Sequence, residues 1–291
     1  MNSIAKFTQY TTLLDEVYRR ASATSMLDIS GTMVQAGANA NQIIIPKYEI
    51  DGLGDYKRNG GYVGGSVKVT HELVEFNYDR GRKFEVDAMD NVESAGIAFG
   101  SLSSQFIRNK AVPEADAFRF ATYASEEGIL KNLNETFSTG VDVLASLTGA
   151  TNAMDEEEVD AENRILFITP TLNTLIGSVD TNKSKEIMNR FSQVVTVPQK
   201  RFYTAIDLLD GESDNELVGG YKKNEAAQNI NYMIIEKSAV IQYTKHTVTK
   251  VFSPEENQNS DGWIFVYRSY GLATTYENRR SGIYLSAAPK A

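Results

Sequence analysis

Residues 55–90 read DYKRNGGYVGGSVKVTHELVEFNYDRGRKFEVDAMD, and the reading of this stretch decides the fold. Gly52, Gly54, Gly60, Gly61, Gly64 and Gly65 are six of the chain's 21 glycines and read as a hinge. Beyond them Val67 and Val69, then Val74, Phe76 and Tyr78, alternate with polar residues at the period of a strand. Asp79-Arg80-Gly81-Arg82 reads as a turn before Phe84 and Val86 resume the alternation, which predicts a long β-hairpin. Its outer face is too polar for a core sheet, and a two-stranded ribbon is marginal alone in water, so it is expected to rest on another molecule.

Asp87 reads as a helix N-cap, with Asp90 and Glu93 in the early turns, where negative charge suits the helix dipole. Met89, Val92, Gly96, Phe99, Leu102 and Phe106 keep helical spacing, which predicts a long helix running to Pro113. Ala95, Gly96 and Gly100 on its stripe suit close packing. Pro113 then opens a second, shorter helix with Phe118 and Phe120. Upstream, Phe7, Tyr10, Leu14, Val17 and Tyr18 form an amphipathic stripe, and 31–41 breaks regularity. Gln42–Ile50 reads as a strand, and Pro46 inside it suits an edge or an extended arm.

Downstream, strand and helix signals alternate. Arg164–Thr169 reads as a buried strand, Pro170 opens a helix through Leu175, and Val194–Val197 is another strand. A polar loop is expected over Gly211–Asn229. Strands follow at Tyr232–Ile235, Ala239–Tyr243, Thr247–Phe252, Trp263–Tyr267 and Ile283–Leu285, with a turn signal at Asp261-Gly262. The class is α+β.

The 291 residues, 42% hydrophobic and 23% charged, suit a globular chain with substantial cores. No cysteine is present, so thiolate metal sites and disulfides are excluded and a reducing cytoplasm fits. Met1–Tyr10 lacks the apolar core of a secretory signal, and no apolar run is long enough to cross a bilayer. A net charge of −9 opposes a phosphate-gripping nucleic-acid binder, yet an acidic wall that lets packaged DNA slide is compatible with it.

Chemistry finds little footing. His71-Glu72 begins like the zinc-protease signature, but Glu75 stands where the second histidine belongs, and a solvent-facing strand histidine is expected. His246 has no serine elbow to serve. Asp155-Glu156-Glu157-Glu158, with Asp160 and Glu162, lacks calcium-loop spacing and reads as a solvated helix end. The glycine runs match no phosphate loop. No catalytic residue, metal site or cofactor is expected. The 15 tyrosines suit core and half-buried contact surfaces.

Four stretches resemble tailed-bacteriophage major capsid proteins of the Hong Kong 97-type fold: residues 55–90, Val112–Phe120, Asn163–Pro170, and Asp261 through Ile283. They occur in the family's order. The resemblance implies an N-terminal arm (1–50), an extended β-hairpin loop (51–86) and a spine helix of a peripheral domain (87–124). A mainly axial domain (125–229) and mainly peripheral-domain strands (230–291) complete it. It further implies pentamers and hexamers forming an icosahedral head around double-stranded DNA, assembled in the host cytoplasm and found in the virion. Scaffolding, portal and cement proteins are the implied partners, with non-specific DNA contact and no membrane. Some relatives cross-link a loop lysine, and Lys57, Lys68 and Lys83 lie in this region, although cross-linking is not inferred. A shell protein of an encapsulin-type nanocompartment shares the fold and is the nearest alternative. A carboxylate-dependent hydrolase is disfavoured by the failed motifs, and an all-β adhesion module by the spine helix.

Overall fold

A computed structural model describes residues 21–29, 35–36, 42–89, 97–179 and 181–290. The stripe at 7–18, most of 31–41, and Asp90, Val92, Glu93, Ala95 and Gly96 lie outside the described residues. Strands β1 (Gln35–Ala36), β2 (Gln42–Ile50), β3 (Val67–Glu75) and β4 (Tyr78–Asp87) lead to helix α1 (Ile97–Phe106). A π-helical turn (Ile107–Ala111) joins α1 to α2 (Val112–Ser125). Next come β5 (Leu130–Leu133), α3 (Gly140–Glu156), β6 (Arg164–Ile168), α4 (Pro170–Gly177), α5 (Thr181–Met188) and β7 (Gln193–Thr196). The chain closes with β8 (Ile206–Leu209), β9 (Gly220–Lys223), β10 (Ile230–Glu236), β11 (Val240–Phe252), β12 (Gly262–Thr275) and β13 (Ile283–Ala287).

One sheet, in the order β5-β13-β10-β6-β7, is apolar on both faces. Alternate residues explain it. Ile165, Phe167, Met233, Ile235, Ile283 and Leu285 meet Phe120, Tyr123 and Ala124 of α2 on one side. Leu166, Ile168, Tyr232, Ile234 and Tyr284 meet Val143, Leu147, Ala150 and Met154 of α3, with Leu172 and Ile176 of α4, on the other. A strand covered by helices on both faces reads as a continuous apolar run, as β6 and β10 do. Residues 229–230 fall inside this arrangement. β10 and β13 share the sheet with β5, β6 and β7, whereas β11 and β12 leave it to form a second sheet with β4.

The helical run α1–α2 straddles both sheets. Phe106, Ile107, Ala111 and Val112 pack on Phe84, Val251, Phe265 and Tyr267 of the second sheet, while Phe120 and Tyr123 pack on the first. Pro113 falls in the first turn of α2, as the sequence reading expected, and the π-helical turn before it joins α2 to α1 without a break. The Val112 N–H donates to the Ile107 carbonyl five residues back, and this widened turn takes up the missing proline donor and the bulk of its ring without ending the helix.

The hairpin is also displaced from its predicted place. β3 pairs with β2 along all nine residues, from Gln42 opposite Glu75 to Ile50 opposite Val67, and β4 pairs with β12. Asp79–Arg82 lies within β4 and is not a turn. Gly81 is required there because a Cβ would sit 2.9 Å from the Tyr267 carbonyl oxygen. The glycine-dense stretch accordingly closes the far end of the β2–β3 ribbon. Among the described residues, Pro46 has a pairing partner on the β3 side only, with β1 opposite Ile43 and Ile44. Within the expected polar loop Gly211–Asn229, β9 pairs with β8 as a second hairpin. Asp87 does cap: its Oδ1 accepts the Met89 N–H at 2.8 Å.

Candidate assembly surfaces

Among the described residues, the ribbon carries most of the exposed large apolar side chains. Its base is seated, with Ile43, Val74 and Phe76 packed over Ile241, Leu272 and Tyr276. At the crossing into β4, the Asn77 side chain stands in for a strand backbone: its amide donates to the Ala273 carbonyl at 2.8 Å and its oxygen accepts the Ala273 N–H at 3.1 Å. Further out the ribbon is tied by Lys47 to Glu277 at 2.6 Å, and this cation draws the Glu277 carboxyl below its usual range. Beyond that, Ile50, Leu53, Tyr56, Tyr62, Val63, Val67 and Val69 are exposed, Leu53 fully, and Leu73, nearer the base and opposite Ile44, is exposed as well. These eight make up most of the large apolar side chains that the described residues expose, a concentration that marks a contact surface. The tip is a tight turn in which Gly60 N and Gly61 N donate to the Lys57 carbonyl at 3.0 and 2.8 Å, and Gly61 takes φ +76°. Tyr56 and Tyr62 flank it with ring centroids 5.0 Å apart.

The β8–β9 hairpin is latched to β4. Arg80 donates from Nε to Glu114 at 2.6 Å and from Nη2 to the carbonyls of Leu209 and Gly220 at 2.7 and 3.3 Å. Arg82 reaches the carbonyls of Gly211 and Leu217 at 3.4 and 2.9 Å. Under this latch lies a cleft of about 210 Å³ lined in part by Tyr78, Phe84, Phe106, Lys110 and Tyr267. The Ser213 hydroxyl and the N–H groups of Glu212 and Ser213 bind the Asp210 carboxylate and hold its pKa down to about 2. Tyr221 donates to the Lys200 carbonyl at 2.7 Å, and burial pushes its phenol up to about 12.

A buried polar cluster ties residues 22–29 to the body. Asp116 on α2 accepts Ser22 Oγ at 2.8 Å, Thr24 Oγ1 at 2.7 Å, the Ala23 N–H at 3.0 Å and Arg201 Nη1 at 3.1 Å. Arg119 donates to Thr24 Oγ1 at 2.8 Å, and Gln242 to the Thr24 carbonyl and Asp28 at 2.8 and 2.7 Å. Among the described residues no buried side-chain nitrogen or oxygen lacks a partner, so the cluster is fully satisfied and holds no orphan group for a ligand.

The residues singled out for chemistry are scattered. His71 is exposed on β3, opposite Pro46, and His246 is exposed on β11 beside a bulge. The acidic run ends α3 in solvent, with Asp155 paired to Arg164 at 2.7 Å. No group of potential ligands is arranged to hold a metal among the described residues. Lys57 and Lys68 lie on the ribbon, Lys68 3.3 Å from Glu49, whereas Lys83 lies on β4, 3.4 Å from Glu85. No helix among the described residues is long and apolar enough to cross a membrane. Sequence reading missed the β8–β9 latch, for which Arg80 and Arg82 at alternate strand positions were the available signal, and the Asp116 anchor, whose partners lie 85 to 94 residues away.

No family model matches the chain, and no curated protein does. Solved structures do. A virus-like particle from Pyrococcus furiosus is 11% identical, with a TM-score of 0.60 over 97% of this chain and 100% of its own. A structure from Mycobacterium phage Che8 is 13% identical, with a TM-score of 0.57 over 85% of each chain. The capsid structure of cyanophage P-SCSP1u is 11% identical, with a TM-score of 0.54 over 88% of this chain and 86% of its own. The chain has the α+β fold of these capsid structures, as the resemblance of the four stretches implied.

Proposed function

We propose that this chain is a major capsid protein, which self-assembles through pentamers and hexamers into an icosahedral head enclosing double-stranded DNA. The observation that carries the reading is the β2–β3 ribbon, which leaves eight large apolar side chains in water. Covering one such side chain is worth about 1.5–3 kcal/mol. Association costs roughly 4–15 kcal/mol in lost freedom, so covering several of them on a neighbour offsets a substantial share of that cost. Many such contacts around closed rings then reinforce one another. The likeness to capsid structures supplies the architecture in which this physics operates.

In this reading the strands β5, β6, β7, β10 and β13, with α3 and α4, form the axial unit. α1–α2 and the β4-β12-β11 sheet form the peripheral unit, and β2–β3 with its glycine-rich tip is the extended loop. The subunit acts by packing and not by catalysis. Scaffolding, portal and cement proteins are its expected partners, and the virion its site of action after assembly in the host cytoplasm.

Sedimentation velocity and negative-stain microscopy of the purified chain, with and without its neighbouring genes coexpressed, test the proposal. Closed shells or rings of five and six subunits are expected. A strictly monomeric species in both preparations contradicts it. The likeness to a virus-like particle along the whole of that chain supports a second reading, a shell around a cargo other than a genome. Nuclease-protected duplex inside purified shells separates the two.

A further inference from the structure

We propose that the tip of the ribbon on one copy docks on the tip of the β8–β9 hairpin of a second copy, an inference that rests on the shell reading above. Outside the ribbon, the large apolar side chains exposed among the described residues are Met89, Leu133, Val141, Leu217 and Val218. Only Leu217 and Val218 adjoin, and Val218 is 84% exposed. They sit on a hairpin tip that also turns Glu212 and Asp214 to solvent, while Asp210 and Glu216 are occupied within the tip by Ser213 and the Asp210 N–H.

The ribbon tip is the complement. Its turn presents Lys57 and Arg58, neither of which has an ion-pair partner among the described residues. Tyr56, Tyr62, Leu53 and Val63 surround the turn with apolar surface. Of the carboxylates in the same loop, Asp51 is engaged by the Ser66 N–H at 2.8 Å, leaving Asp55 beside the two cations. A basic, aromatic tip thus faces an acidic, aliphatic one, and charge complementarity sets register where apolar contact supplies burial. Both tips are pre-organised, one by the Lys57–Gly61 turn and the other by Arg80 and Arg82, which lowers the ordering cost of docking.

The geometry also separates the two patches within one copy. Strands of nine residues carry the ribbon tip roughly 30 Å from its base, whereas the hairpin is latched to β4, the strand that begins at that base. A contact between different patches of two copies is heterologous and propagates head to tail, giving a ring where the rotation between copies closes.

The absence of cysteine gives a clean test. Tyr62→Cys and Val218→Cys chains, coassembled and oxidised, are expected to give disulfide-linked dimers that neither variant gives alone. Charge reversal at Lys57 and Arg58 to Glu, or at Glu212 and Asp214 to Lys, is expected to lower shell yield by roughly tenfold or more, and combining both reversals to restore it. Shells that form without the mixed cross-link and are indifferent to the reversals overturn the docking and leave the shell reading intact. Cross-links within the Tyr62→Cys variant alone also overturn it, because they place tip against tip. Absence of shells from the unmodified chain overturns both readings.

Discussion

Asp116 on α2 and Thr24, 92 residues earlier, are joined by a hydrogen bond of 2.7 Å from the threonine hydroxyl to a carboxylate that is wholly buried. The same carboxylate holds Ser22, Ala23 and Arg201, so the segment at 22–29 is fastened to the helix that spans both sheets. Removing one partner of a buried, charged cluster strands the rest. Asp116→Ala is expected to cost about 3–5 kcal/mol, and Asp116→Asn about 1–3 kcal/mol, since the amide keeps the shape but loses the charge. Urea unfolding of the protomer measures both. An unchanged midpoint in Asp116→Ala means the cluster contributes nothing net.

The Arg80 latch is expected to be specific to a guanidinium. Arg80→Ala loses the Glu114 pair and both hairpin carbonyls, for about 2–3 kcal/mol. Arg80→Lys is expected to keep the ion pair without the hairpin, because an ammonium is a point charge and not a fork. Hydrogen exchange over residues 206–223 reads the difference. Equal protection in Arg80→Lys and the unmodified chain contradicts this account.

Two glycines of α3 should respond in opposite directions to the same substitution. Helix propensity alone favours alanine over glycine by about 1 kcal/mol. Gly149 has open space around it, and Gly149→Ala is expected to stabilise by about that amount. Gly140 faces α4 so closely that a Cβ would lie 2.1 Å from the Leu175 carbonyl oxygen. Gly140→Ala is expected to destabilise by about 2–3 kcal/mol, the close approach outweighing propensity. Thermal unfolding of the two variants decides.

These elements show what sequence carries and what it hides. Arg164–Thr169 was legible because β6 is buried on both faces, and so were Pro170 at the start of α4 and the helix end at Glu156. Helix α3 went unassigned even though Thr139 and Asp142 form a capping box ahead of Val143, Leu147, Ala150 and Met154. Asp79–Arg82 looked like a turn because charges flank a glycine. Each of those charges finds its partner far away in sequence, Asp79 with Arg268 at 2.7 Å and Arg80 with Glu114, and only the fold brings them together. The ribbon was legible as a surface needing cover, but its strands were paired wrongly, since the β2 partner of β3 precedes the glycines.

Acid should leave the hairpin tip intact longer than an ordinary carboxylate would. Asp210 is held to about 2 in the folded protein against an ordinary value of 3.8, first by the Ser213 hydroxyl and then by two backbone N–H groups. A folded value below the unfolded one gives a contribution fully present above the unfolded pKa and lost as pH falls through the folded one. The tip is therefore expected to persist at about pH 3 and to open near pH 2. The carboxyl carbon shift of Asp210, followed by NMR, should titrate near the lower value. A midpoint near the ordinary value refutes the local network.

The central claim, that an uncovered ribbon makes this chain a shell subunit, is tested most directly by comparing the full chain with a variant in which residues 51–66 are replaced by a two-residue turn. Both are examined by sedimentation velocity and negative-stain microscopy. The expected result is closed shells from the full chain and folded, unassembled protomers from the variant. Shells of equal yield from both, or monomers alone from the full chain, would contradict it.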